Sequence, residues 1–166
     1  MVGVMVHVKG LDELQKALTQ LPIKLETNIM RGAMRAGAVV VQKQAKINAP
    51  LKSGILAAGI KVSTRSRNGQ VSATVKTTGK HAYIAPWIEF GVAAHKILPR
   101  RAKALFFLGR FVKVIMHPGF GPKPFMRPAV EARAQDALMA AGLYIRARLV
   151  KSGVDGAAGI TLEREE

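Results

Sequence analysis

The chain has no cysteine, which removes disulfides, a thiolate nucleophile and every cysteine-based zinc site at once. Carboxylates are nearly as scarce where chemistry would need them. Eighteen basic residues lie between residues 27 and 130, and Glu89 is the only acid among them. Paired-carboxylate catalysis therefore has no raw material across most of the chain. Aromatics make up only 5% of the residues, which argues against an aromatic-lined ligand cleft. Long apolar runs are also missing: the longest, such as Ala36 to Val41, fall far short of the roughly 18 residues of a membrane-spanning helix. The short apolar start, Met1 to Val8, has no basic leader and meets Lys9 too early for a secretory core, so no signal peptide and a soluble protein are expected.

What the chain does have is positive charge. Twenty-six basic residues against 10 acidic ones give a formal net charge of +16, with the acids gathered toward the two ends. Such a middle repels itself unless screened or matched, so it predicts a polyanionic neighbour, either nucleic acid or the acidic face of another protein. The 166 residues suit one domain. The expectation is a single α+β domain over residues 1–151 and a glycine-rich mobile tail over 152–166.

Leucines 11, 14, 18, 21 and 25 recur at helical spacing, interrupted by Pro22. This predicts a short helix near 11–20 and a second from Pro22 to about Asn48, where Ala49-Pro50 stops it. The stripe of the second helix runs through Ile29, Ala33, Ala36, Val40 and Ile47. Its small residues, among them Gly32 and Gly37, would let another element approach closely, at a cost in intrinsic helicity. Alternation on both sides of Asn68-Gly69 predicts an antiparallel hairpin over about 55–66 and 70–78. Pro86 makes 81–91 an edge strand or turn. Two apolar runs around Gly109-Arg110 predict a second hairpin. A closing helix over 127–151 carries Val130, Ala134, Leu138, Ala141, Ile145 and Leu149 on its apolar stripe. The two long helices would pack on a small antiparallel sheet of four or five strands.

Candidate chemistry is thin. His81, Glu89, His95 and His117 have no helical or finger-like ligand spacing, which favours loop and rim positions over a metal site. Gly119-Phe-Gly121 lacks both the strand-to-helix setting and the Lys-Ser/Thr of a phosphate loop. Glu89 lies beside Trp87, Ile88 and Phe90, so a basic partner or backbone hydrogen bonds fixing the Trp87–Gly91 turn is the expected role. No catalytic residue, metal or cofactor is assigned. Pro118 and Gly119, with Trp87, Glu89, Phe90 and Gly91, are read as structural.

Several motifs recur together in order: Gly10-Leu-Asp-Glu-Leu14, Leu21-Pro22, Ala45-Lys46 with Ala49-Pro50, Ser53-Gly54 with Leu56, Ile88-Glu-Phe-Gly91, His117-Pro118-Gly119 and Pro124-Phe-Met-Arg-Pro-Ala129. In this order they resemble the neck or tail-completion family of lambdoid siphophages and related prophages, over about residues 9–133. The resemblance implies a non-enzymatic α+β virion subunit that joins a homo-oligomeric ring, a hexamer, at the head-to-tail junction and continues the channel for DNA. It also implies adjacent neck, tail-terminator or tail-tube proteins as partners, a virion location reached from the host cytoplasm, and no membrane. The chain departs from the family at Val92, where a threonine is usual after Glu-Phe-Gly, and its Val92–Lys103 segment is longer and more basic.

Interface candidates are Lys96, Arg100, Arg101 and Lys103 in that segment, and Phe120, Lys123, Phe125 and Arg127 around the proline-rich loop, because loops carry interaction surfaces. Much of the charge is expected to face acidic ring partners, with possible non-specific contact to duplex DNA. The alternative reading is a stand-alone, non-specific basic DNA-binding protein.

Overall fold

The computed structural model describes residues 12, 15–16, 19, 23–50, 54–80, 82–100 and 102–153. Asp12, Gln15, Lys16 and Thr19 are helical, in keeping with the helix expected near 11–20, whose other residues lie outside the described set. So do residues 154–166 of the expected tail. The chain folds as two compact units: residues 1–82 with 125–166, and residues 83–124. The class is α+β.

The first unit is built on two 26-residue helices, α1 (Ile23–Asn48) and the C-terminal helix Met126–Lys151. They pack against each other along their length. They run antiparallel: Gly37 faces Ala137, Gly32 faces Tyr144, and Gln44 bonds Arg133. The buried positions of α1 are Ile29, Ala33, Val41 and Ala45, with Gly37 between them and Ala49 just beyond the helix. Every step is four residues. This differs from the expected stripe at its far end, since Ile47 is 71% exposed. A spacing of four follows one ridge of the helix surface, and a ridge of small residues is what a second helix can approach most closely.

In the C-terminal helix the same logic moves the seam. Ala129, Gly142, Ile145 and Leu149 are buried, whereas Val130 and Leu138, expected on the stripe, are exposed. A polar chain ties the helix ends together. Asp136 accepts from Arg133 at 2.8 Å, Arg133 Nε donates to Gln44 at 2.9 Å, and Gln44 donates to Asn48 Oδ1 at 2.9 Å. Asn48 Nδ2 in turn donates to the Phe125 carbonyl at 3.4 Å.

Between the long helices lie α2 (Ile55–Gly59) and the hairpin of β1 (Ile60–Arg67) and β2 (Gln70–Thr77). The register runs from Ile60↔Thr77 to Arg67↔Gln70. Asn68 and Gly69 both take positive φ, 49° and 76°, so the turn is the expected one. The hairpin was expected to begin near residue 55. Instead Ile55–Gly59 is helical, because Leu-Ala-Ala favours helix and Gly54 turns into it at φ 67°. α1 packs on both strands, and Gln42 Nε2 donates to the Ile60 carbonyl at 2.7 Å.

The second unit opens with α3 (Ile84–Phe90), not with the edge strand or turn expected there. Pro86 stands in its first turn, where a helix needs no amide donor. Four short strands follow: β3 (His95–Ile97), β4 (Leu105–Phe107), β5 (Arg110–Val112) and β6 (Ile115–His117). β3 pairs with β6 and β4 with β5, so the described strands form three two-stranded sheets rather than one sheet of four or five. Numbered in chain order, the helix Met126–Lys151 is α4.

Candidate functional site

After α3, the second unit runs out and back as two successive antiparallel pairings closed at the base by a bridge. Val92 and Phe120 exchange both backbone hydrogen bonds at 2.9 Å, His95–Ile97 pairs with Ile115–His117, and Leu105–Phe107 pairs with Arg110–Val112. Residues 98–104 separate β3 from β4 whereas only 113–114 separate β5 from β6, so the two sides of the ribbon differ in length there. The Val92–Lys103 segment noted in the sequence supplies the Val92 bridge, β3 and most of this longer side.

Two of the sequence motifs meet at the base. A Cβ on Gly91 would stand 2.8 Å from the Phe120 carbonyl oxygen and 2.8 Å from the Pro122 nitrogen. A Cβ on Gly119 would run into the backbone of Val92, Ala93 and Ala94. Both glycines have positive φ, 76° and 77°. Gly119 N–H donates to His117 Nδ1 at 3.0 Å, and Lys123 N–H donates to the Ile88 carbonyl at 2.7 Å. Glu-Phe-Gly and His-Pro-Gly are thus two sides of one close backbone crossing. Gly119→Ala should destabilise this crossing by about 2 kcal/mol, from the left-handed backbone and the crowding together. That corresponds to roughly thirtyfold faster hydrogen exchange at the Val92 and Phe120 amides. Unchanged exchange would contradict it.

At the far end, β4 and β5 carry an unusual surface. Phe106, Phe107, Leu108 and Phe111 are 69%, 46%, 81% and 76% exposed. Phe106 and Phe111 are register partners with ring centroids 5.3 Å apart. The turn is Leu108-Gly109, one residue earlier than expected, because a two-residue turn of this hand needs positive φ at both positions and works with glycine second, as at Asn68-Gly69. Leu108 therefore sits at φ 49°, a conformation that costs a branched side chain about 1–2 kcal/mol. An isolated hairpin is marginal in water, and this one presents apolar rings and a strained leucine to solvent.

The other sequence candidates fall around this ribbon. Lys96, Arg100 and Lys103 are exposed on the longer side; Arg101 lies outside the described residues. Phe120 is 46% exposed and Lys123 and Pro118 are exposed. Arg127 is exposed in the first turn of α4. Phe125 is different. Its side chain is fully buried, so it is a core anchor of the first unit with no surface for a partner. Glu89 is half-buried, while Trp87 and Phe90 are 50% and 68% exposed. Trp87 meets Tyr83 edge-on at 5.4 Å.

His95 and His117 are register partners and stack at 5.0 Å, with His95 Nδ1 2.9 Å from the Ala93 carbonyl. His81 lies outside the described residues. Among the described residues no three metal-ligating side chains converge, and no helix is long and apolar enough to cross a membrane. The exposed aromatic hairpin was not legible as a surface in the sequence. Its alternation failed to warn of it, since Phe106 and Phe107 are adjacent and both exposed.

The family described as "Bacteriophage HK97-gp10, putative tail-component" matches residues 12–91, just under half of the 166-residue chain. Over residues 12–91 the chain is similar to this HK97-gp10-like family. No curated protein and no solved structure matches the chain. The HK97-gp10-like segment holds α1, α2, the β1–β2 hairpin and α3, and it ends at Gly91, the first glycine of the backbone crossing. It includes the Ala45–Pro50 and Ile88–Gly91 motifs, while His117-Pro-Gly119 and Pro124–Ala129 lie beyond it.

Proposed function

We propose that this HK97-gp10-like protein is a non-enzymatic structural subunit of a tailed-phage virion, assembled as a homo-oligomeric ring at the head-to-tail junction through which DNA passes. The observation that carries the assembly is the β4–β5 hairpin. Aromatic side chains bury roughly 150–250 Å² each when covered, so a neighbouring subunit that covers Phe106, Phe107 and Phe111 gains substantial association energy. The hairpin itself gains the packing it lacks alone. A head-to-tail contact of this kind, arm of one copy onto a different surface of the next, forms a ring where the rotation from copy to copy closes and an open filament where it does not. Lys103, Arg110 and Lys113, exposed beside the rings, suit an acidic rim on the receiving surface. Adjacent neck or tail proteins would then meet the faces of the ring.

Phe106→Ser with Phe111→Ser tests this. The full chain is expected to form rings by electron microscopy and sedimentation, hexameric by mass, and the double variant to remain dispersed with its helical signal unchanged. A double variant that assembles as well as the parent would remove the arm from the interface. A parent chain that stays monomeric and holds duplex DNA would instead favour the stand-alone DNA-binding reading.

A further inference from the structure

The outward face of the β1–β2 hairpin has a composition unlike any other surface of the molecule described above. Directly opposed residues share a face in an antiparallel pair, and here the opposed pairs are Lys61 with Lys76, Ser63 with Thr74, Arg65 with Ser72 and Arg67 with Gln70. Every one of these side chains is a cation, a hydroxyl or an amide. The alternate residues, including Ile60, Val62, Val71 and Val75, are buried or half-buried on the other face, where α1 packs. The polar face is therefore presented outward on a ribbon backed by a long helix. We propose that this face binds the phosphate backbone of duplex DNA.

Like charges directly opposite each other destabilise a sheet, and Lys61 and Lys76 form such a pair. No acid is a near neighbour of either in the sequence, since none occurs between Glu26 and Glu89. A polyanion laid across the ribbon would turn this cost into binding. The chemistry also separates nucleic acid from an acidic protein. Protein interfaces are depleted in charge at their centre and carry apolar and aromatic anchors, which this face lacks and the β4–β5 arm has. Protein–DNA interfaces are polar and strongly positive, with hydroxyl and amide groups bonding phosphate oxygens beside arginine and lysine. The absence of any aromatic residue on the face points to duplex rather than to stacked single strands.

Spacing agrees with a duplex. Strand rise places Lys61 roughly 14 Å from Arg65 and roughly 20 Å from Arg67, enough to reach phosphates on both sides of a major groove about 12 Å wide. Three of the four ribbon cations, all but Lys76, line two open clefts near the ends of the ribbon. Lys61 lines one with Lys80, Thr78 and Gly79; Arg65 and Arg67 line the other with Gln70 and Ser72. With only phosphates contacted, the binding is independent of sequence. This inference does not rest on the ring: it needs only the first unit folded.

The test is fluorescence anisotropy of the full chain with a short mixed-sequence duplex over a salt series. K61Q/R65Q/R67Q/K76Q is compared with R31Q/R35Q/K43Q/K151Q, which removes the same charge from exposed positions on the long helices. Each lost phosphate contact lowers the salt slope by about 0.9, so the ribbon variant is expected to be shallower by about 3.6 while the control keeps the parental slope. Equal losses in the two variants, or no binding by the parent, would overturn the assignment. So would a ribbon variant that keeps its DNA affinity but loses capture of polyglutamate, which would give the face to an acidic protein. Sedimentation of the same samples scores ring formation separately, so either reading can fail alone.

Discussion

Phe125→Ala is expected to destabilise the first unit by about 3–5 kcal/mol, the range for deleting a fully enclosed aromatic side chain. Among the described residues Phe125 is, with Ile60 and Leu149, one of the three largest fully buried side chains, and Ala129 one turn later is also completely enclosed. It stands at the N-cap of α4, where its carbonyl accepts from Asn48 at the end of α1. Nothing else described at that position fills the volume of a phenyl ring, so the cavity would persist and α4 would lose its first point of attachment. Urea unfolding followed by far-ultraviolet circular dichroism measures the effect. Phe125→Leu should cost much less, about 1 kcal/mol, since it keeps most of the apolar volume. A loss below that from the alanine variant would mean that the site is not the anchor its burial indicates.

Gly37→Val is expected to cost about 3 kcal/mol, at the upper end for overpacking. A Cβ at Gly37 would stand 2.7 Å from the Ala137 carbonyl oxygen of the opposing helix. That obstacle is backbone. It cannot rotate away, so the helices must separate along the whole seam of small residues. Gly32 offers the internal comparison, because the atoms facing it are the far end of the Tyr144 ring. A ring can swing aside, at the expense of the 3.1 Å bond from Arg148 Nε to the Tyr144 hydroxyl. Gly32→Ala also gains about 1 kcal/mol of helix propensity, so its net effect should lie near zero. The same denaturation assay ranks the two. Equal effects would show that the helices are not in the close contact derived from the Gly37 geometry.

The long helices were legible because their periodicity repeats over many turns, and the Asn68-Gly69 hairpin because one dipeptide suits its turn better than almost any other. α3 was not legible. Pro86 rules out a central strand, but whether a seven-residue stretch coils into a helix depends on packing, not on propensity. The seam of α1 drifted in the sequence reading because Ala36, Gly37, Val40 and Val41 offer two acceptable stripes of small and apolar residues. Only the position of α4 selects between them. The split into separate two-stranded sheets was equally hidden, since strand alternation states which face is apolar and not which strand is the neighbour.

For the candidate surfaces the division is similar. Composition alone located an unmatched basic stretch, the lack of thiols and the lack of paired acids, because charge and chemical type are properties of residues and survive any folding. Which cations share a face is a property of register: Lys61 and Lys76 are distant in the chain and become neighbours only when the hairpin closes. The motif glycines show the same dependence. Gly91 and Gly119 stood out as parts of separate motifs, and tertiary structure alone brought Gly119 against Val92–Ala94 and Gly91 against Phe120–Pro122. A sequence fixes local conformational preference and total charge, whereas contact between remote segments is decided by which surfaces exclude water together.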